Sequence, residues 1–197
     1  MILPRKLIEK IINHLKIFAK SSYFGFIQGH VHLNRSKIRN LKLLINKYDS
    51  KIINNYEKQF SNLIGSGYCI SYASARMGFY EIMAILNIGH NDEIIILGST
   101  CSVMINAILR RKATPIFSDL DPKTFGSDYE SIKEKINSRT KLIVAQHSFG
   151  IPCNIIPIVK LAKQKNIFLV EDCALTLGSK IEGKKVGNFG DAAIFST

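Results

Sequence analysis

Residues 167–178 read IFLVEDCALTLG: a four-residue apolar run, an acidic pair, then small residues leading to Gly178. A short apolar run bounded by turn-forming residues reads as a strand covered on both faces. Glu171 and Asp172 therefore fall where a buried strand gives way to a turn. Strand alternation sends their side chains to opposite faces, leaving Glu171 for structural or salt-bridge duty. Asp172 has four readings: a helix or turn cap, a metal ligand, a general base, or a carboxylate beside a positively charged cofactor atom.

Outward from this stretch, strand and helix alternate with short joins. Residues 68–72, 92–97, 114–120, 141–146, 166–170 and 191–196 are predicted strands, with a turn or hairpin at 181–185. Helices are predicted at 75–86, 102–111, 154–164 and from a Ser127/Glu130 capping box through Ile136. Two more precede them, roughly 5–20 and 35–59. This order implies an α/β fold, a three-layer α/β/α sandwich around a mostly parallel mixed sheet. The expected domains are a basic, mainly helical region 1–60 and a layered domain 61–197. Ligands of such a domain lie beyond the carboxyl ends of the strands.

Composition narrows the classes. At 46% hydrophobic and 21% charged, the 197 residues can bury a core. The longest apolar runs are too short to span a bilayer, and the N-terminus lacks the uninterrupted apolar stretch of a secretory leader. Net charge is +12, with twelve Lys or Arg against three acids in residues 1–60. No finger or RNA-binding aromatic motif accompanies that charge, so a solvated basic face is expected and nucleic acid is not. Cys69, Cys101, Cys153 and Cys173 contain no CxxC pair and read as reduced core thiols of a cytoplasmic protein, with no metal site.

Several strand ends carry candidate chemistry. SYASAR, residues 71–76, opens a helix, where the Ser74 hydroxyl and free amides could hold a phosphate or simply cap the helix. It is neither GxGxxG nor GxxxxGK[ST]. His147 could stack on a flat ring, shuttle a proton or bond the main chain. Asp119 and Asp121 read as turn caps before Pro122. Ser148, His147 and Asp172 lack the GxSxG elbow of a hydrolase.

YASARMGFYEIM, NDEIIILGSTCSVMINAI, ATPIFSDLDPKTFGSD, TKLIVAQHSFGIPCNI and FLVEDCALTLGSKIEGKKVGNFGDAAIFS follow one another from about residue 66 to 196. Their order and spacing resemble the DegT/DnrJ/EryC1/StrS sugar aminotransferases, of the aspartate-aminotransferase fold (type I). The resemblance implies a large domain that binds pyridoxal 5′-phosphate (PLP). It makes Asp172 the partner of the pyridine nitrogen. Ser74, the amide of Ala75 and Ser196 become phosphate ligands, Cys101 stands near the ring, and His147 joins Asp172 as a catalytic candidate. It also implies a cytoplasmic homodimer aminating a nucleotide-linked keto sugar, with glutamate as usual donor, for lipopolysaccharide or other glycans. Three departures stand out. Cys101 occupies the place of an aromatic ring, Leu175 that of a Gln or His, and the Schiff-base lysine would follow Ser196 where the sequence stops at Thr197. The alternatives are a truncated or non-catalytic relative acting as a binding partner, or a PLP-dependent sugar dehydratase.

Overall fold

The structure is a computed structural model that describes residues 50–65 and 67–196. Helix α1 spans Ser50–Ile64, α2 Ala75–Ile85, α3 Ser102–Arg110, α4 Tyr129–Lys135 and α5 Ile155–Lys165. The strands are β1 Glu93–Leu97, β2 Thr114–Ser118, β3 Thr140–Gln146, β4 Phe168–Asp172, β5 Lys180–Ile181, β6 Lys184–Lys185 and β7 Ala192–Ile194. The predicted helix 5–20 and the part of the second helix before residue 50 lie outside the described residues.

Five strands form one sheet in the order β2-β1-β3-β4-β7, and β5 and β6 form a separate antiparallel hairpin. Every pairing in the larger sheet is parallel, so among the described residues it is not mixed. β1 is buried at all five positions, and only β3 and β4 come close to that. Such strands need apolar side chains on both faces, which is why their sequences read as runs rather than alternations.

Two apolar layers flank the sheet. Ile94 and Ile96 of β1, Leu142 and Val144 of β3, Val170 of β4 and Ile194 of β7 pack with Phe79 and Met83 of α2 and Met104 and Ile108 of α3. On the other face Ile95, Ile143, Ala145 and Leu169 pack with Ile132 of α4 and Ile155, Ile158 and Leu161 of α5. This is the α/β/α sandwich the alternation implied. Each fully buried aliphatic side chain contributes about 1.5–3 kcal/mol relative to an exposed one.

From Lys51 onward α1 belongs to the unit Lys51–Thr197, where its C-terminal turn is anchored by side chains of the later loops. Lys185 Nζ donates to the Leu63 carbonyl and Asn188 Nδ2 to that of Ile64 at 3.1 Å. These side chains satisfy carbonyls that a helix end leaves without partners. The Phe60 ring meets Phe195 edge-on, 5.3 Å between centroids.

Two local expectations are corrected. Residues 68–72 form no strand; they lie beside no ladder, with Tyr68 and Ile70 exposed. The Ser71 amide and hydroxyl instead donate to Glu57 of α1, at 2.7 and 2.8 Å. The cap of α4 is Asp128, whose Oδ1 accepts from the Ser131 amide at 2.8 Å. Ser127 is unavailable because its amide donates to the Gln146 carbonyl and its Oγ accepts from the Gln146 amide.

Candidate active site

Strand parity sorts the acidic pair. Val170 belongs to the α2/α3 layer and Leu169 to the α4/α5 layer, so Asp172 follows the first and Glu171 the second. Helix α2 joins the start of β1 through the short segment 86–92, and its 11 residues span about the same length as a five-residue strand. Its first residue therefore lies level with the carboxyl edge of the sheet. α3 also begins there, with four residues between it and the end of β1. Ser74, Cys101 and Asp172 are thus placed on one side of one edge. Register aligns Gln146, Asp172 and Ile194 along that edge, and Ser196 follows two residues later.

Asp172 is buried, and its Oδ1 accepts from the Ala174 amide at 3.0 Å. This is the turn contact that one reading foresaw. Its Oδ2 has no bonded partner among the described residues. Burial pushes this carboxyl above the usual aspartate range, against smaller opposing effects from the Ala174 amide and His147.

Ser74 stands at the N-cap position of α2 with extended backbone, yet its hydroxyl caps nothing. That Oγ is buried without a partner among the described residues, as are Thr100 Oγ1, Gln146 Oε1 and Thr176 Oγ1. Buried polar atoms are ordinarily bonded, so these four are exceptions that point to a missing ligand or water. Thr100 directly precedes the N-cap of α3, Cys101, which likewise makes no side-chain cap bond. Thr100 was not among the predicted ligands; its adjacency to Cys101 in GSTCS was the available signal.

Glu171 is the second unforeseen feature. Its Oε1 accepts from the amides of Phe189 and Gly190, at 2.6 and 2.8 Å. Its Oε2 accepts from the Gly187 amide at 2.8 Å and from His147 Nε2 at 3.1 Å. Burial alone would push the carboxyl up, but His147 and the three amides outweigh it and hold it below the ordinary range.

His147 is wholly buried. Its Nδ1 accepts from the Cys153 amide at 3.0 Å, which leaves the ring proton on Nε2 for Glu171. Both nitrogens are thereby engaged within the protein. His147, Glu171 and Cys173 have ligand atoms within 4.8 Å of one another. That set suits hydrogen bonding better than a metal: the imidazole lone pair and both carboxylate oxygens are taken. Burial and then the Glu171 charge push the Cys173 thiol up, and push Cys153 to about 12.

Other expectations resolve simply. Cys153 and Cys173 are buried, whereas Cys101 is exposed and so is no core thiol. Asp121 caps its own turn, accepting from the Lys123 amide and the Thr124 hydroxyl at 2.9 and 3.1 Å. Leu175 is exposed, and its carbonyl accepts from the Gly150 amide at 3.0 Å. No helix among the described residues is long and apolar enough to cross a membrane.

A parallel sheet sandwiched between helix layers, with polar atoms at its carboxyl edge unbonded among the described residues, defines an α/β domain with its candidate site at that edge. The chain belongs to the DegT/DnrJ/EryC1/StrS aminotransferase family, whose model matches residues 44–197. It is 38% identical over 144 residues to a GDP-perosamine synthase of Escherichia coli O157:H7, covering 73% of this chain and 40% of that protein. The same identity and coverage relate it to a dTDP-3-amino-3,6-dideoxy-alpha-D-galactopyranose transaminase of Aneurinibacillus thermoaerophilus. The solved aminotransferase of Psychrobacter cryohalolentis superposes with a TM-score of 0.79 at 27% identity, covering 86% of this chain and 44% of that one. The chain thus spans about 40% of the length of these two curated relatives.

Proposed function

We propose that this protein takes part in moving an amino group from an amino acid, glutamate by resemblance, to a nucleotide-linked keto sugar for cell-surface polysaccharide or amino-sugar synthesis, with PLP as cofactor. The reading rests on Asp172: a buried carboxylate at a strand end, on the face covered by α2 and α3, with one oxygen unpaired among the described residues. The names of the two curated relatives support the substrate class.

The residues present suit the cofactor. PLP, when bound, supplies an electron-accepting ring that stabilises negative charge on a carbon losing its proton. Asp172 would hold a proton on the ring nitrogen, because a desolvated carboxylate gains most from a cationic N–H partner. The Ser74 hydroxyl, the Ala75 amide and the Ser196 hydroxyl would bind the phosphate, aided by the positive end of α2. The unbonded Ser74 Oγ is what such a role requires before the anion arrives. Cys101 and Thr100 would line the ring's side of the same edge. His147 would act on the reaction by position, since its nitrogens are bonded elsewhere. The protein would work as a cytoplasmic homodimer.

The test is PLP binding by absorbance, and turnover with glutamate and nucleotide-linked keto sugars, in wild type and Asp172→Ala. Turnover is expected to be nearly abolished in the variant. Near-normal turnover would end the assignment.

A further inference from the structure

Glu171 is more heavily bonded than an acid on a strand needs to be. Four donors converge on its two oxygens, which fills the acceptor capacity of a carboxylate. Three are successive or near-successive amides of one loop, Gly187, Phe189 and Gly190. A side chain with less acceptor capacity would leave buried N–H groups unpaired, so the loop's conformation depends on this charge.

The loop matters for what it seats. Gly187 has φ +87°, a conformation that favours glycine, and a Cβ there would collide with the Phe195 ring and lie 3.4 Å from Ala193. The Phe195 ring occupies the space a Cβ at Gly187 would need, and it also meets Phe60 of α1 edge-on. Ser196 is the next residue. The Glu171 network also reaches Asp172, because His147 bonds Glu171 through its ring while its amide donates to the Asp172 carbonyl at 3.0 Å. One carboxylate on the α4/α5 face thus ties together two segments that end in the candidate site on the other face.

We propose that Glu171 is a positioning residue for the phosphate seat: by fastening Gly187 to the end of β4 it holds Phe195 in place, and through Phe195 the Ser196 hydroxyl. This rests on the PLP reading above. It assigns Glu171 no contact with cofactor or substrate. Its lowered pKa agrees with a carboxylate that stays ionised to keep four donors satisfied.

The experiment titrates PLP, and separately pyridoxal, which lacks the phosphate, into the full-length protein. Wild type, E171Q, S196A, the E171Q/S196A double variant and F195L are compared, with thermal unfolding of each. E171Q keeps the shape of the side chain but turns an NH₂ group toward two donors. It is expected to weaken PLP about 10-fold more than pyridoxal, as is S196A. The double variant should bind PLP no more than about threefold worse than the weaker single variant, because the two losses are one loss. A merely structural role would lower the unfolding temperature and leave the PLP-to-pyridoxal ratio alone. An E171Q ratio within twofold of wild type overturns the proposal, as do penalties that multiply in the double variant. If E171Q does not fold, F195L decides: a ratio unchanged from wild type overturns the proposal, and a selective loss of PLP supports it. Wild type that binds neither compound overturns the PLP reading and this proposal together, whereas wild type that binds beside an indifferent E171Q overturns this proposal alone.

Discussion

The two edges of the sheet differ in how their polar groups are treated. At the amino edge, Glu93 is buried but accepts from Asn137 Nδ2 at 2.6 Å and pairs with Arg139. Arg111 donates twice to the Ile88 carbonyl there, and Asp191 accepts from the Leu169 amide at 2.9 Å. At the carboxyl edge Ser74, Thr100, Gln146 and Thr176 each keep a buried atom, and Asp172 an oxygen, without a partner among the described residues. One edge spends its polar groups on folding. The other bonds Glu171 and His147 fully but leaves these atoms without partners among the described residues, at a cost in stability that a ligand or water would offset.

The adjacent acids repeat this contrast within two residues. Glu171 is saturated and held below its ordinary pKa, while Asp172 is undersupplied and held above it. Chemistry is expected from the second and architecture from the first.

The sharpest attack on the comparison is Asp172→Asn, which keeps the turn acceptor and removes the charge. Turnover should fall about 10³-fold, while the cofactor-free protein gains about 1 kcal/mol in urea unfolding at neutral pH. A loss of stability would place Asp172 with the structural groups. The gain should depend on pH. A carboxyl raised in the fold adds stability that is fully present below the unfolded aspartate pKa and disappears as pH rises through the folded value. The Asn variant should therefore pull ahead of wild type as pH climbs through that window. Glu171 has the opposite sign, contributing stability that is lost as pH falls through its lowered folded pKa.

Glu93→Ala tests the other edge. It should cost about 2 kcal/mol in denaturant unfolding, because it leaves Asn137 Nδ2 with the long 3.5 Å contact to the Lys135 carbonyl and removes a buried charged acceptor. PLP affinity should not change. Ser74→Ala comes next: stability within about 0.5 kcal/mol of wild type, since its hydroxyl bonds nothing among the described residues, but PLP binding weaker by about 10-fold. The smallest effect is Thr176→Val, which replaces an orphaned buried hydroxyl with a methyl and should raise stability by at most about 1 kcal/mol in thermal unfolding. If it destabilises instead, the hydroxyl has a partner and the edge is less open than described.

How much of this could be read in advance follows from the range of each interaction. Strands β1, β3 and β4 and helices α2, α3 and α5 were legible within a residue or two of their ends, because apolar runs and helical spacing are local records of burial. The segment 68–72 had strand composition but no neighbour to pair with, and strand formation depends on a neighbour. The α4 cap was misplaced by one residue because Ser127, a sound local choice, is committed to β3, 19 residues away.

The amino-acid sequence by itself determined the alternation of elements, the family resemblance and the position of Asp172 at a strand end, all of which depend on neighbouring residues. Only the tertiary structure decided that Glu171 is a saturated hub, that Ser74 leaves its helix uncapped and that Cys101 is exposed. Those properties depend on which distant backbone donors reach a side chain. Glu171 and Gly187 stand 16 positions apart, and the residues between them carry no local sign of the bond that joins them.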